Sequence, residues 1–141
     1  MSATPRDVLQ RLIDGVTSQN FDDLHELYVE DTVVDHPLAI PAPSRMKGRD
    51  RLREHFGGAK DASRVMRAEN LVVHETADPE VIVAEFDYVG HFTTTGRSFT
   101  IQNIFVLRVR DGLIVESRDY TNHFAFAQAR GDRVATTPLP G

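Results

Sequence analysis

The stretch Val106-Leu107-Arg108-Val109-Arg110-Asp111-Gly112-Leu113-Ile114-Val115-Glu116-Ser117-Arg118-Asp119-Tyr120-Thr121-Asn122 decides the fold. Two runs rich in β-branched and apolar residues flank Asp111-Gly112, the kind of dipeptide that accepts the positive φ angles of a two-residue hairpin turn. The stretch therefore predicts two antiparallel strands, Phe99 to Arg110 and Leu113 to Thr121. On the first, Phe99, Ile101, Asn103, Phe105, Leu107 and Val109 alternate onto one face. On the second, strict alternation puts Leu113, Val115, Ser117 and Asp119 together, an apolar face that ends in an acid.

Further toward the N-terminus, Val81 to Phe92 reads as another long strand, joined to the hairpin through a turn at Thr95-Gly96, and Leu71 to Val73 reads as a shorter one. Earlier still the apolar period changes from two to that of a helix. Thr4-Pro5-Arg6-Asp7 has the cap hydroxyl, first-turn proline and acid of a helix start, and Val8, Leu9, Leu12, Ile13 and Val16 form one stripe behind it. Asn20 reads as the cap of a second short helix carrying Phe21, Leu24, Leu27 and Tyr28. Thr32 to His36 is a short strand stopped by Pro37, and the three prolines of residues 37–43 mark a loop. A third helix follows Gly48, with Leu52 and Phe56 inward and Gly57-Gly58 as its stop; residues 123–130 form a terminal helix. Helices first and a meander afterwards imply an α+β fold with the helices on one face of an antiparallel sheet.

The chain has 141 residues, enough for one domain, expected over residues 1–131 with a loose tail at 132–141. Hydrophobic residues at 40% and charged residues at 26% suit a core that needs no staples. The absence of cysteine excludes disulfides, thiolate metal sites and a Cys nucleophile. A net charge of −5 argues against a nucleic-acid partner, whose phosphates call for a basic face. Residues 1–6 have no apolar signal core and no apolar run reaches membrane-spanning length, so a cytoplasmic protein with no membrane partner is expected. No phosphate-binding loop, nucleophile elbow or dinucleotide fingerprint occurs, and the histidines lack ligand spacing; neither cofactor nor metal is expected.

Three stretches resemble the SnoaL-like branch of the nuclear transport factor 2-like superfamily. They are Val33-Val34-Asp35-His36-Pro37-Leu38-Ala39 with Pro41 and Arg45 to Arg49, the hairpin Val106 to Ile114, and Arg118-Asp119-Tyr120-Thr121-Asn122. The last is similar to the closing strand of the phenazine biosynthesis A/B proteins and of limonene-epoxide hydrolase. The resemblance implies a strongly curved antiparallel sheet of the cystatin-like roll type, with N-terminal helices closing a conical pocket. It also implies a homodimer formed through the outer sheet face. Relatives include polyketide cyclases, ketosteroid isomerases and epoxide hydrolases, so fold alone does not select a reaction.

Asp119 is the leading catalytic candidate, because a carboxyl at the end of an apolar face has its charged form disfavoured and can exchange protons near neutral pH. The resemblance assigns a catalytic acid to the same position. His36, just before the proline loop, is the second candidate, as base or hydrogen-bond donor. Asn122 either contacts substrate or caps the terminal helix, and Asn103 either contacts substrate or satisfies a neighbour. Glu85 and Tyr88 stand on opposite faces of their strand, and both are candidates for substrate contact until the pleat is known. Limonene-epoxide hydrolase carries Arg-x-Asp on the corresponding strand, where Glu85-Phe86-Asp87 has no arginine; this counts against epoxide hydrolysis by the same groups. Arg45, Lys47, Arg49, Arg51 and Arg53 read as a solvated face.

The reading is a cofactor-independent acid–base enzyme, an isomerase or cyclase acting on a small apolar carbonyl or polyketide-like compound. The alternatives are a non-catalytic small-molecule binder, a dimeric scaffold of the same fold, or a protein-interaction module.

Overall fold

A computed structural model describes residues 3–60 and 62–132. Most of the tail expected at 132–141 therefore lies outside the described residues. The elements are helix α1 (Pro5–Thr17), a 3-10 turn (Leu24–Leu27), strands β1 (Tyr28–His36) and β2 (Ser44–Lys47), helix α2 (Arg49–Ala59), strands β3 (Arg64–Glu75), β4 (Val81–Phe92), β5 (Ser98–Arg110) and β6 (Leu113–Thr121), and helix α3 (His123–Arg130). The six strands form one curved, unclosed sheet in the order β2-β1-β6-β5-β4-β3.

Helix α1 starts as its sequence requires. Thr4 Oγ1 accepts from the Asp7 amide and Asp7 accepts from the Thr4 amide, both at 3.1 Å. Such a cap contributes about 1 kcal/mol, whereas burying each of Val8, Leu9, Leu12 and Ile13 contributes about 1.5–3 kcal/mol. Packing against the sheet therefore outweighs the cap in holding α1 in place. The β5 alternation holds along its whole length, with Phe99, Ile101, Asn103, Phe105, Leu107 and Val109 all buried.

Several expectations are corrected. The sheet is not wholly antiparallel: β1 runs parallel to β6, pairing Val34 with Ser117 and Asp35 with Arg118. The second helix is only a 3-10 turn, and Tyr28 is the first residue of a strand that extends to His36. Helix α2 runs through Gly57-Gly58 to Ala59, because Phe56 and Leu52 already anchor it in the core. Strand β3 begins at Arg64, well before Leu71. In β6 the strict alternation fails. The β5–β6 register shifts between Arg108 and Val109, so Arg108 faces Glu116 while Val109 faces Ile114. Val115 is the extra residue of a bulge. The inward set is Ile114, Ser117, Asp119 and Thr121, not Leu113 and Val115.

At Gly90 the backbone of β4 lies tight against β3. A Cβ there would sit 2.0 Å from the Val65 carbonyl oxygen and 2.7 Å from Met66 Cα. Only a residue without a side chain permits this approach. Among the described residues, no helix is long and apolar enough to cross a membrane.

Candidate active site

The concave face of the sheet, closed by α1, α2 and α3, encloses a cavity of about 260 Å³. Its walls are mostly apolar, with Leu12 and Val16 from α1, Leu52 and Phe56 from α2, and Phe105 from β5. The polar groups reaching it are Asp119, Thr121, Tyr28, Tyr88, His36, His55, His123, Arg64 and Arg130.

Asp119 is placed by register. It pairs with Phe105, which pairs in turn with Ala84, so the acid stands in an inward row of apolar side chains. It is 8% exposed and accepts a short hydrogen bond from the Ser117 hydroxyl two residues earlier on the same face. Burial is the main force on its titration; the Ser117 hydroxyl opposes it, Asp35 adds to it, and the carboxyl is raised to about 7. A group so tuned populates both protonation states at neutral pH. Tyr28 and Tyr88 feel the acid in turn. Burial first, then the charge of Asp119, raises both phenols, so both stay protonated donors.

His36 reaches the same side. Val34 pairs with Ser117, and side chains two residues apart share a face, so His36 and Asp119 project together from β1 and β6. The His36 ring lies 6.0 Å from that of His55 and 5.7 Å from that of His123. Burial, then His55 and His123, lowers its pKa to about 4, so the ring is neutral and offers one donor and one acceptor. Both ring nitrogens of His36, and Nε2 of His123, are buried without a hydrogen-bond partner. Burial similarly lowers His55 and His123. Among the described residues no group of three or more His, Cys, Asp or Glu side chains is arranged to hold a metal ion.

The structure brings Asp119, His36 and Tyr88 into one cavity and keeps the other candidates out. Glu85 is corrected: it lies on the outer face, exposed, 2.6 Å from His74 Nε2. The pleat that turns Ala84, Phe86 and Tyr88 inward turns Glu85 outward. Asn103 is on the inner face but is used internally; its Oδ1 accepts from Thr121 Oγ1 at 2.8 Å and its Nδ2 donates to the Ile101 carbonyl at 3.0 Å. Asn122 caps α3, with Oδ1 accepting from the Ala125 amide at 3.0 Å and Nδ2 donating to Gln102 at 2.9 Å, which removes it from the cavity. Of the basic residues around α2, Arg45, Lys47, Arg51 and Arg53 are exposed, Arg45 making two hydrogen bonds to Asp35, while Arg49 is half-buried and donates from Nε to the Tyr28 carbonyl at 2.9 Å.

Sequence reasoning missed Tyr28, His55, His123 and Arg64. Tyr28 was legible in principle, since Tyr28 and Val29 extend the β1 pattern. The others come from α2, α3 and the start of β3, and no local spacing links them.

Residues 9–117 match the SnoaL-like domain family, and the chain belongs to it. An uncharacterised PhzA/B-like protein of Pseudomonas aeruginosa is 32% identical over 107 residues, 75% of each chain. A solved Bacillus subtilis structure, provisionally assigned as an isomerase, is 25% identical with a TM-score of 0.83, covering 91% of this chain and 93% of that one. A Pseudomonas putida structure, provisionally assigned as a polyketide cyclase, superposes with a TM-score of 0.76 at 16% identity over 91% and 98% of the two chains.

Proposed function

We propose that the protein catalyses cofactor-independent proton transfer on a small, largely apolar carbonyl compound, as an isomerase or cyclase. The observation that carries this reading is Asp119, a carboxyl buried in an apolar cavity and raised to about 7. As a carboxylate, Asp119 takes a proton from the carbon next to the substrate carbonyl. The electron pair left on carbon delocalises onto the carbonyl oxygen, where the protonated Tyr28 or Tyr88 hydroxyl donates a hydrogen bond to the enolate. In an isomerisation Asp119 returns the same proton to a different carbon. In a cyclisation the enolate carbon attacks a second carbonyl, and Asp119 protonates the new alkoxide. The neutral His36 ring is a further hydrogen-bond partner for the substrate.

The test is proton exchange in deuterated water, followed by NMR across a panel of cyclic enones and 1,3-diketones. The wild type exchanges the α-protons of accepted compounds. Asp119→Asn loses about 100-fold or more of that rate while still binding them. Unchanged exchange by the variant contradicts the proposal, and binding without exchange by the wild type favours the non-catalytic binder.

The same reading includes a homodimer through the outer sheet face. Val72, Glu85, Ile104 and Tyr120 are successive cross-strand neighbours there, and Val72 and Ile104 are 49% and 43% exposed. Apolar side chains left open along a sheet face favour contact with a partner.

A further inference from the structure

Two ionic groups of the cavity, Asp119 and Arg64, have no ion-pair partner among the described residues. Asp119 is the one carboxylic acid among the described residues that line it, and its hydrogen bond comes from Ser117. Arg64, the first residue of β3, also lines it, with its guanidinium carbon 4.9 Å from the centre of the Phe126 ring. Its Nε is buried with no hydrogen-bond partner, and no ion pair among the described residues includes it. This sets it apart from Arg108, which binds Asp78, Glu80 and Glu116, and from Arg130, which also lines the cavity but is paired with Asp132. The charged neighbours that act on Arg64 do not neutralise it: Tyr88 is held protonated and Arg130 is a second cation.

Arg64 is half-buried, and a guanidinium drawn partly out of water with an unpartnered Nε is stabilised by a group of opposite charge that enters beside it. We infer that the substrate carries a carboxylate and that Arg64 is the residue that receives it. The inference rests on the cavity being the substrate site proposed above and specifies the substrate class. The planar fork of arginine matches the two oxygens of a carboxylate, and the Phe126 ring beside the guanidinium gives it a cation–π contact. The unpartnered nitrogens of His36 and His123 meet the remaining polar atoms of the molecule. The substrate is then a small oxo acid: an apolar body, a carbonyl that reacts at Asp119 and a carboxylate at Arg64.

Calorimetric titration of benzoate and cyclohexanecarboxylate against benzamide and cyclohexanecarboxamide tests this without any turnover. The wild type binds each acid about tenfold or more tightly than its amide. Arg64→Gln abolishes that preference and Arg64→Lys, which keeps the charge and loses the fork, retains part of it. Asp119→Asn retains it fully, so the carboxylate site and the acid–base chemistry fail separately: the first by loss of acid preference, the second by unchanged proton exchange in Asp119→Asn. A measurement on the wild type covers the case in which the Arg64 variants do not fold. The Arg64 side-chain Nε–H resonance moves on addition of benzoate and not of benzamide. Equal affinity for acid and amide, binding of neither, acid preference surviving in Arg64→Gln, or an unmoved Arg64 resonance would each overturn the inference.

Discussion

At the scale of the residue, the role proposed for Asp119 is coupled to stability. Its folded pKa of about 7 lies above the ordinary 3.8 because burial penalises the charge. The folded state therefore holds the proton more tightly than the unfolded chain does. The resulting stabilisation is complete below pH 3.8 and is lost as pH rises through about 7. Asp119→Asn removes this dependence. Urea unfolding at pH 5 and pH 8 is predicted to show the variant gaining on the wild type at the higher pH, by about 2.5 kcal/mol as an upper bound. An identical pH dependence in both proteins would mean that the acid does not titrate in the folded cavity. The neutral histidines act with the opposite sign: with His36 lowered to about 4, its contribution is present above 6.5 and lost as pH falls through about 4. Asp119 was legible in the sequence because an acid closing an apolar strand is a local signal. Glu85 was not resolved by it, because a pleat phase depends on neighbours that come from other strands, and Asn122 was left open because a strand end and a helix cap fall on the same residue.

At the scale of the element, two irregularities set the site. The bulge at Val115 changes which β6 residues face inward, so that Ser117, Asp119 and Thr121 follow Ile114 into the interior. The sequence carried the hairpin turn plainly, since Asp111 and Gly112 have φ of 52° and 78° and their residue types announce it. It carried no comparable mark for the bulge, because the alternation on either side is regular in itself. The second irregularity is the close approach at Gly90. Adding a methyl group there drives it into the Val65 carbonyl and the Met66 backbone, which belong to a paired strand and have no room to yield. Gly90→Ala is expected to cost about 1–3 kcal/mol or more, read as a lowered unfolding midpoint. A variant as stable as wild type would show that β3 and β4 are further apart than described. The parallel β1–β6 pairing was also hidden: a short strand beside a proline loop does not declare its partner, and the contacts that select it are long-range.

At the scale of the whole molecule, the sheet has two faces with different tasks. The inner one carries the cavity, and the outer one carries the exposed row through Ile104. The order of helices and strands, taken with the three motif stretches around His36, Asp111 and Asp119, was enough to place the chain in its family, and residues 9–117 match that family. The convergence of Tyr28, His36, His55, His123 and Arg64 on one cavity required the folded chain, since these residues come from two strands and two helices. If the proposed dimer uses the outer face, Ile104→Glu places a charge at its centre and leaves the inner face untouched. Sedimentation velocity is then expected to show a dimeric wild type and a monomeric variant with an unchanged fold by circular dichroism. A monomeric wild type at all concentrations would remove the dimer from the account.

The central claim is that Asp119 titrates near neutrality inside the cavity. Its side-chain carboxyl carbon, assigned by comparing carbon-13 NMR spectra of wild type and Asp119→Asn, reports this directly across a pH titration. The account predicts a midpoint of about 7. A midpoint near the ordinary 3.8 would show that the acid is solvated or paired, and would remove the basis for assigning it the proton transfer.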